Sequence, residues 1–332
     1  MRSVRPSVYG TAALAVAASL LLAACSSGTE ATGGETSADG YPVTVDNCGA
    51  DVTFESEPER LVLLKSASVP ALHSLGVLDR AVARAGAFPQ EYFDEATLKE
   101  LEDIPELTSD VDATGHLHIS KDIVIAQEPD VVFGEVENLP RQSLEASNIP
   151  LLEEPAFCAT GADASPVFDS VYNQVEVYGE VFNKHDKADA EITDLQDRVE
   201  AAKAQVPEDE QRTAAVLYPT VGGGTTYAYG TGSMAHPQLE AAGFTNVFED
   251  TSERVFEVSS EQLLGRDPDI IILLHSEGDP EAVEDTLRNL PGAETLTAVQ
   301  DNQVMTQLLN FAEPATPLAV TGLEHIVERF HQ

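Results

Sequence analysis

The chain spells one pattern twice, and this constrains its fold more than any other feature. "ISKDIVIAQEPDVVFG" runs from Ile119 to Gly134, and "VSSEQLLGRDPDIIILL" from Val258 to Leu274. In each copy a serine (Ser120, Ser259) stands where a helix N-cap belongs, with an acidic residue two positions on (Asp122, Glu261) that suits the positive end of a helix dipole. A proline (Pro129, Pro268) then stops the helix. The β-branched run that follows has no polar alternation, as expected of a parallel strand covered on both faces. A second echo, "LHSLGV" (Leu72 to Val77) and "LEAAGF" (Leu239 to Phe244), precedes each copy in the same order. Both versions end a helix on glycine, which takes the left-handed conformation without strain. The expectation is two related halves, the first carrying an insertion, "AFPQEYFDEATLKELEDIPELTSDVDATGH", between its echoes.

Strand and helix alternate in both halves. The first predicts strands at Leu61–Leu64, Ala81–Arg84, Val131–Phe133 and Pro150–Leu152, with helices over Ser68–Leu75 and Phe93–Glu102. The second predicts strands at Thr213–Leu217, Thr226–Tyr229, Ile270–Leu274 and Gln303–Gln307, a helix over Ser233–Ala242 and a final amphipathic helix in "PATPLAVTGLEHIVERF". This is the rhythm of open, mostly parallel sheets. Between the halves, apolar residues fall near helical spacing (Val171, Val175, Tyr178, then Ile192, Leu195, Val199), which predicts two consecutive helices or one long one.

The N-terminus is of another kind. Residues 1–24 carry Arg2 and Arg5, then the apolar run "AALAVAASLLLAA", and read as a secretory signal. "LAAC" (Leu22 to Cys25) resembles a bacterial lipobox, in which cleavage leaves Cys25 lipid-modified. Residues 25–40 are small and polar, a flexible tether. With Cys25 lipidated, Cys48 and Cys158 remain for an oxidising compartment, where a disulfide is the natural reading and two structural thiols the alternative. The formal charge is −39, or −41 once the signal is removed, which excludes nucleic acid as a partner.

Taken together, the lipobox, "ERLVLLKSASVPALHSLGVLDRAVA", the paired "EPDVVFG" and "DPDIIIL" units, "GTGSMAHPQLEAAGFTNVFED" and the helical connector resemble the substrate-binding lipoproteins of ABC importers for iron-siderophores, haem and vitamin B12. The resemblance covers Val43 to Phe330. It implies an α/β fold of two Rossmann-like lobes with mostly parallel sheets, joined by a long inter-lobe helix, with the ligand held between them and little closure on binding. The boundaries are then 41–165 for the first lobe, 166–206 for the connector and 207–332 for the second lobe. It also implies a monomer without catalytic activity or cofactor, whose partners are an ABC permease and its ATPase, held by its lipid on the outer face of the cytoplasmic membrane of a Gram-positive cell. In such proteins each lobe often offers the permease a glutamate. Glu240 matches that position in the second lobe, whereas Pro70 stands there in the first, leaving docking there to another residue such as Asp79.

Loops at the carboxyl ends of parallel strands should form the cleft. In the first lobe these are "KSAS" (Lys65 to Ser68), "GHLH" (Gly115 to His118) and "GEVENLPR" (Gly134 to Arg141), the last contributing Glu135. In the second they are "YPTVGGGTTYAYG", the "ERVF" segment and "LLNFAEPA". A ferric siderophore already fills the iron's coordination shell, so it needs aromatic walls and hydrogen-bond donors. Tyr218, Tyr227, Tyr229, Phe311 and Arg254 suit that role, with ordinary packing the alternative for the aromatics. His116 and His118, one residue apart, would face the same side and could ligate haem iron or a bare divalent metal, or lie in a solvated loop. The expected ligand is a ferric siderophore, hydroxamate before catecholate given the acidic charge, with haem second and cobalamin third. A structural or adhesive surface lipoprotein and a secreted hydrolase are the readings of a different class, but neither a G-x-S-x-G elbow nor a phosphate-binding G-x-x-x-x-G-K-[ST] is present.

Overall fold

The computed structural model describes residues 40–109, 111, 116–158, 164–276 and 278–332. Signal, lipobox cysteine and nearly all of the tether lie outside the described residues. The first lobe opens with an antiparallel hairpin, β1 (Val43–Asn47) and β2 (Ala50–Phe54), followed by β3 (Leu61–Leu63), β4 (Ala81–Ala85), β5 (Glu106–Thr108), β6 (Val131–Phe133) and β7 (Leu151–Leu152). The last five form one parallel sheet in the order β5-β4-β3-β6-β7. Helices α1 (Val69–Ser74), α2 (Glu95–Asp103), α3 (Lys121–Ile125) and α4 (Arg141–Glu145) connect them.

The second lobe holds β8 (Thr213–Pro219), β9 (Thr226–Tyr229), β10 (Thr245–Asn246), β11 (Val255–Val258), β12 (Ile270–His275) and β13 (Val304–Leu308). Their order is β11-β9-β8-β12-β13, with β10 paired to the start of β8; β9 is antiparallel to both neighbours and the other pairings are parallel. Between the lobes run α5 (Phe168–Val181) and α6 (His185–Lys203). The connector is thus two helices, broken where Asn183 takes φ 49°. Gly179 lets them meet, since a Cβ there would lie 2.5 Å from that of Ala188. The second lobe adds α7 (Ala235–Ala241), α8 (Ser260–Arg266), α9 (Pro280–Arg288), α10 (Thr297–Gln300) and α11 (Pro317–His331).

The repeated motif does the same work in both lobes. Ser120 Oγ accepts from the Ile123 N–H at 3.4 Å, and Ser259 Oγ from that of Gln262 at 3.2 Å. Each helix then stops on a left-handed acidic residue just before the proline, Glu128 (φ 49°) and Asp267 (φ 41°). The aspartate after the proline ties the emerging strand to the first strand of its sheet. Asp130 Oδ2 accepts the N–H groups of Glu59 and Arg60 at 2.9 and 3.0 Å, and Asp269 Oδ2 accepts the N–H and hydroxyl of Thr213 at 2.7 and 2.8 Å. Gly76 (φ 68°) and Gly243 (φ 80°) close α1 and α7 alike. In both cases the following residue donates five positions back, Val77 to Leu72 and Phe244 to Leu239, at 3.0 and 2.8 Å.

β6 and β12 are buried along their whole length, as parallel strands with helices on both faces must be. One apolar cluster runs through both lobes, joining Leu61 and Phe133 to Tyr178 and Leu195 of the connector, Ile272 of β12 and Leu323 of α11. Among the described residues, no helix is long and apolar enough to cross a membrane.

Candidate functional site

In the first sheet the chain winds outward in both directions from the adjacent pair β3 and β6. The loops leaving their carboxyl ends diverge and open a crevice, the usual position of a ligand in such sheets. Lys65 follows β3, Glu135 follows β6 and Glu153 follows β7. They converge: the Lys65 ammonium donates to Glu153 Oε2 at 2.5 Å, and the Glu135 N–H donates to the same oxygen at 2.7 Å. Glu153 Oε1 accepts the Glu154 N–H at 2.8 Å. The Glu153 side chain is 0 % exposed and that of Lys65 is 30 % exposed, so the carboxylate lies beneath and the cation above. Gly134 makes room for the lysine stem, because a Cβ there would stand 2.8 Å from Lys65 Cγ.

Beneath this pair lies Glu154, also buried. Burial pushes its carboxyl up to about 8, against the Tyr178 hydroxyl that donates to it at 2.7 Å, and the Glu153 charge pushes further. Near neutral pH Glu154 is therefore mostly protonated. Asn47 at the end of β1 braces the same corner. Its amide donates to Glu153 O at 2.8 Å, and Arg141 donates to Asn47 O at 2.8 Å. A disulfide between Cys48 and Cys158, with Cα atoms 5.2 Å apart, fastens the hairpin beside it.

In the second lobe, strand alternation gathers the tyrosines. Tyr218 lies opposite Tyr227 across β8 and β9, and Tyr229 is two residues on, so all three project from one face of the sheet. Tyr218 and Tyr227 are half-buried and Tyr229 is buried, its hydroxyl pushed well above the usual range by desolvation and then by the Glu313 charge. The Tyr218 hydroxyl lies 3.1 Å from that of Ser276 at the end of β12. Arg254, just ahead of β11, pairs with Glu313, which follows β13; Arg254 is 35 % exposed and Glu313 0 %. Burial raises the Glu313 carboxyl, opposed by the Arg254 guanidinium and the Ser233 hydroxyl. Gly230 and Gly232 let the chain carrying Arg254 pass: a Cβ on them would stand 2.3 Å from Thr251 O and 2.7 Å from Ser252 O.

Phe157, after β7, joins the two halves of the site. The Lys65 ammonium lies 4.6 Å from its ring centroid, and the Arg254 guanidinium, reaching from the other lobe, lies 5.6 Å from it. Beside this stack Asn310 spans the lobes, donating from its side chain to Ser66 Oγ at 3.1 Å and from its N–H to Tyr92 Oη at 2.9 Å. The Tyr92 ring packs edge-on against Phe311 at 5.1 Å. A crevice of about 400 Å³ is lined by Tyr92 and Phe311 with Glu191, Arg198 and His325, and not by Lys65, Phe157 or Arg254.

The structure thus brings Tyr218, Tyr229 and Arg254 close to a common centre and places the Glu135 backbone in its support; the Glu135 carboxylate itself accepts the Arg141 N–H at 3.2 Å. Phe311 is buried in inter-lobe packing. His116 and His118 both point outward from a segment whose Leu117 and Ile119 are buried, so they face the same side. Glu240 is exposed on α7, 3.7 Å from His236. Sequence reasoning missed Glu153, Phe157 and Tyr92, and did not single out Lys65, Asn310 or Glu313 within the loops it marked. Position after the carboxyl end of β7 was the available signal for Glu153.

Two Rossmann-like lobes on a helical connector, with a cleft of aromatics and hydrogen-bond donors between them, are the form of an extracytoplasmic solute-binding protein. The family described as periplasmic binding protein matches residues 61–307, and the chain belongs to it. Its members bind solutes without catalysis and serve ABC importers, so a permease and its ATPase are the partners. The chain is 51 % identical to a protein from Saccharomonospora viridis described as an ABC-type Fe3+-hydroxamate transport system; the TM-score is 0.83, covering 88 % of this chain and 100 % of that one. The uncharacterized ABC transporter substrate-binding lipoprotein YvrC of Bacillus subtilis is 22 % identical over 296 residues, 88 % of this chain and 86 % of that protein. The Fe(3+)-citrate-binding protein YfmC of the same organism is 22 % identical over 310 residues, 92 % and 90 % of the two chains.

Proposed function

We propose that this protein captures a ferric siderophore of the hydroxamate type and delivers it to an ABC importer, held at the outer face of the cytoplasmic membrane by a lipid on Cys25. The observation that carries this reading is the stack of Lys65, Phe157 and Arg254 bridging the lobes, flanked by Tyr218, Ser276 and Asn310. A chelate that already satisfies its iron presents carbonyl and hydroxamate oxygens together with an apolar skeleton. Guanidinium, ammonium and hydroxyl donors suit the oxygens, and the aromatic faces suit the skeleton. The 51 % identity to the Saccharomonospora viridis protein supports the same class.

Intrinsic tyrosine fluorescence is the direct test, since the chain has no tryptophan and seven of its eight tyrosines lie beyond the signal. The mature protein is titrated with ferrioxamine-type and ferrichrome-type hydroxamates, a ferric catecholate, haem and cobalamin, with inner-filter controls. Sub-micromolar quenching by a hydroxamate, weakened at least about tenfold in Arg254→Gln, is the expected result. Tight haem binding abolished by His116→Ala or His118→Ala would replace this reading with haem transport.

A further inference from the structure

We propose that Glu153 and Glu313 determine specificity: each neutralises, from beneath, the cation that its lobe brings over Phe157, so these two cations offer donors without net positive charge and the site selects uncharged metal chelates over polyanionic ones. This rests on the reading of the protein as a ferric-siderophore receptor and deepens it. The two lobes build the same device from different strands. In the first, Lys65 is 30 % exposed over a Glu153 that is 0 % exposed; in the second, Arg254 is 35 % exposed over a Glu313 that is 0 % exposed. Both cations converge on Phe157, so any ligand resting against that ring meets both.

An exposed carboxylate could swing away to leave its cation free for an anionic ligand, but these two cannot. Glu153 is fixed by three donors, Lys65 and the N–H groups of Glu135 and Glu154. Glu313 is held by Arg254 and by packing that leaves its side chain no exposed surface. With neighbouring Glu154 mostly uncharged, Lys65 and Arg254 each keep one buried carboxylate as a direct counter-charge. A charge buried about 10 Å from a ligand charge, at the effective dielectric of a protein, alters affinity on the order of tenfold per unit of ligand charge. For a trianionic chelate, removing either glutamate's charge is therefore a large gain, and for a neutral chelate it is not.

The experiment compares wild type, Glu313→Gln and Glu153→Gln, measuring affinities for a neutral ferric trihydroxamate and a trianionic ferric tris-catecholate at low and high salt. The ratio of neutral to trianionic affinity should fall by at least about tenfold in each variant, and the gain for the trianion should shrink as salt rises. Glutamine preserves the shape and one hydrogen bond, so a purely structural role would weaken both chelates together. That outcome, or a ratio within about twofold of wild type, overturns the inference while leaving the receptor reading intact. Failure of wild type to bind either iron chelate overturns both. The glutamates lie in different lobes, so if one variant does not fold the other still decides.

Discussion

Gly322 lies in the middle of α11, where alanine would ordinarily be the better residue by about 1 kcal/mol. Here the close approach of the Phe311 backbone should reverse that sign. A Cβ on residue 322 would stand 1.7 Å from Phe311 O, 2.7 Å from Phe311 C and 2.9 Å from Gln238 Nε2. Restoring ordinary contact requires a backbone shift of roughly 1.5 Å or more. The carbonyl that must move is the one that accepts Gln238 Nε2 at 2.6 Å, and Gln238 is only 1 % exposed. Overpacking costs about 1–3 kcal/mol, and weakening the buried amide's bond about 1–3 more. Set against the helix-propensity gain, Gly322→Ala should lose about 3 kcal/mol. For the roughly 280 residues described that is about 5 °C in Tm. The damage should also reach the ligand, because Asn310, which bridges to Ser66 and Tyr92, adjoins Phe311. Thermal melts by circular dichroism, with siderophore titration of the same sample, measure both effects. A Tm at or above wild type would mean that helix propensity wins and the close approach is not what excludes a side chain.

Two further outcomes follow from groups around Glu153. Replacing both Cys48 and Cys158 by serine opens a loop spanning 110 residues, which should cost about 5 kcal/mol, or about 8 °C in Tm. A loss below about 1 kcal/mol in denaturant titration would show that the bonds of Asn47 already hold the hairpin. For Glu154 the folded carboxyl titrates at about 8, above its ordinary 4.5, so between those values the folded state binds more protons than the unfolded one and stability falls as pH rises. Glu154→Gln should therefore raise Tm more at pH 8 than at pH 5, and an equal change at both would remove the proposed titration.

Much of the framework was legible because its signals are local. The N-cap serines, the helix stops marked by Pro129 and Pro268, and the glycines after α1 and α7 each depend on a few adjacent residues, and each recurs. β6 was readable from its continuous apolar run. The hairpin of β1 and β2 was not foreseen: its strands alternate buried and exposed residues over a short span, and it is stabilised by Glu153, Arg141 and Cys158, all remote in sequence. The connector could be read as helical, but its break at Asn183 depends on a single left-handed residue.

The site was less legible for an electrostatic reason. With 57 acidic residues in the chain, two more glutamates carry no signal until burial separates them from the solvated remainder. Glu153 and Glu313 are distinguished only by having no exposed side-chain surface and a cation each, which is tertiary information. The same acidity sharpens their importance. A surface charge is screened within about 10 Å at 0.1 M salt, so the many exposed carboxylates act weakly inside the cleft. Buried carboxylates in direct contact with Lys65 and Arg254 are screened less by that salt, though not wholly, and act more strongly. Among the described residues, the cations over Phe157 each carry a buried carboxylate, so the net charge of the whole chain is a weak guide to the charge a ligand meets there.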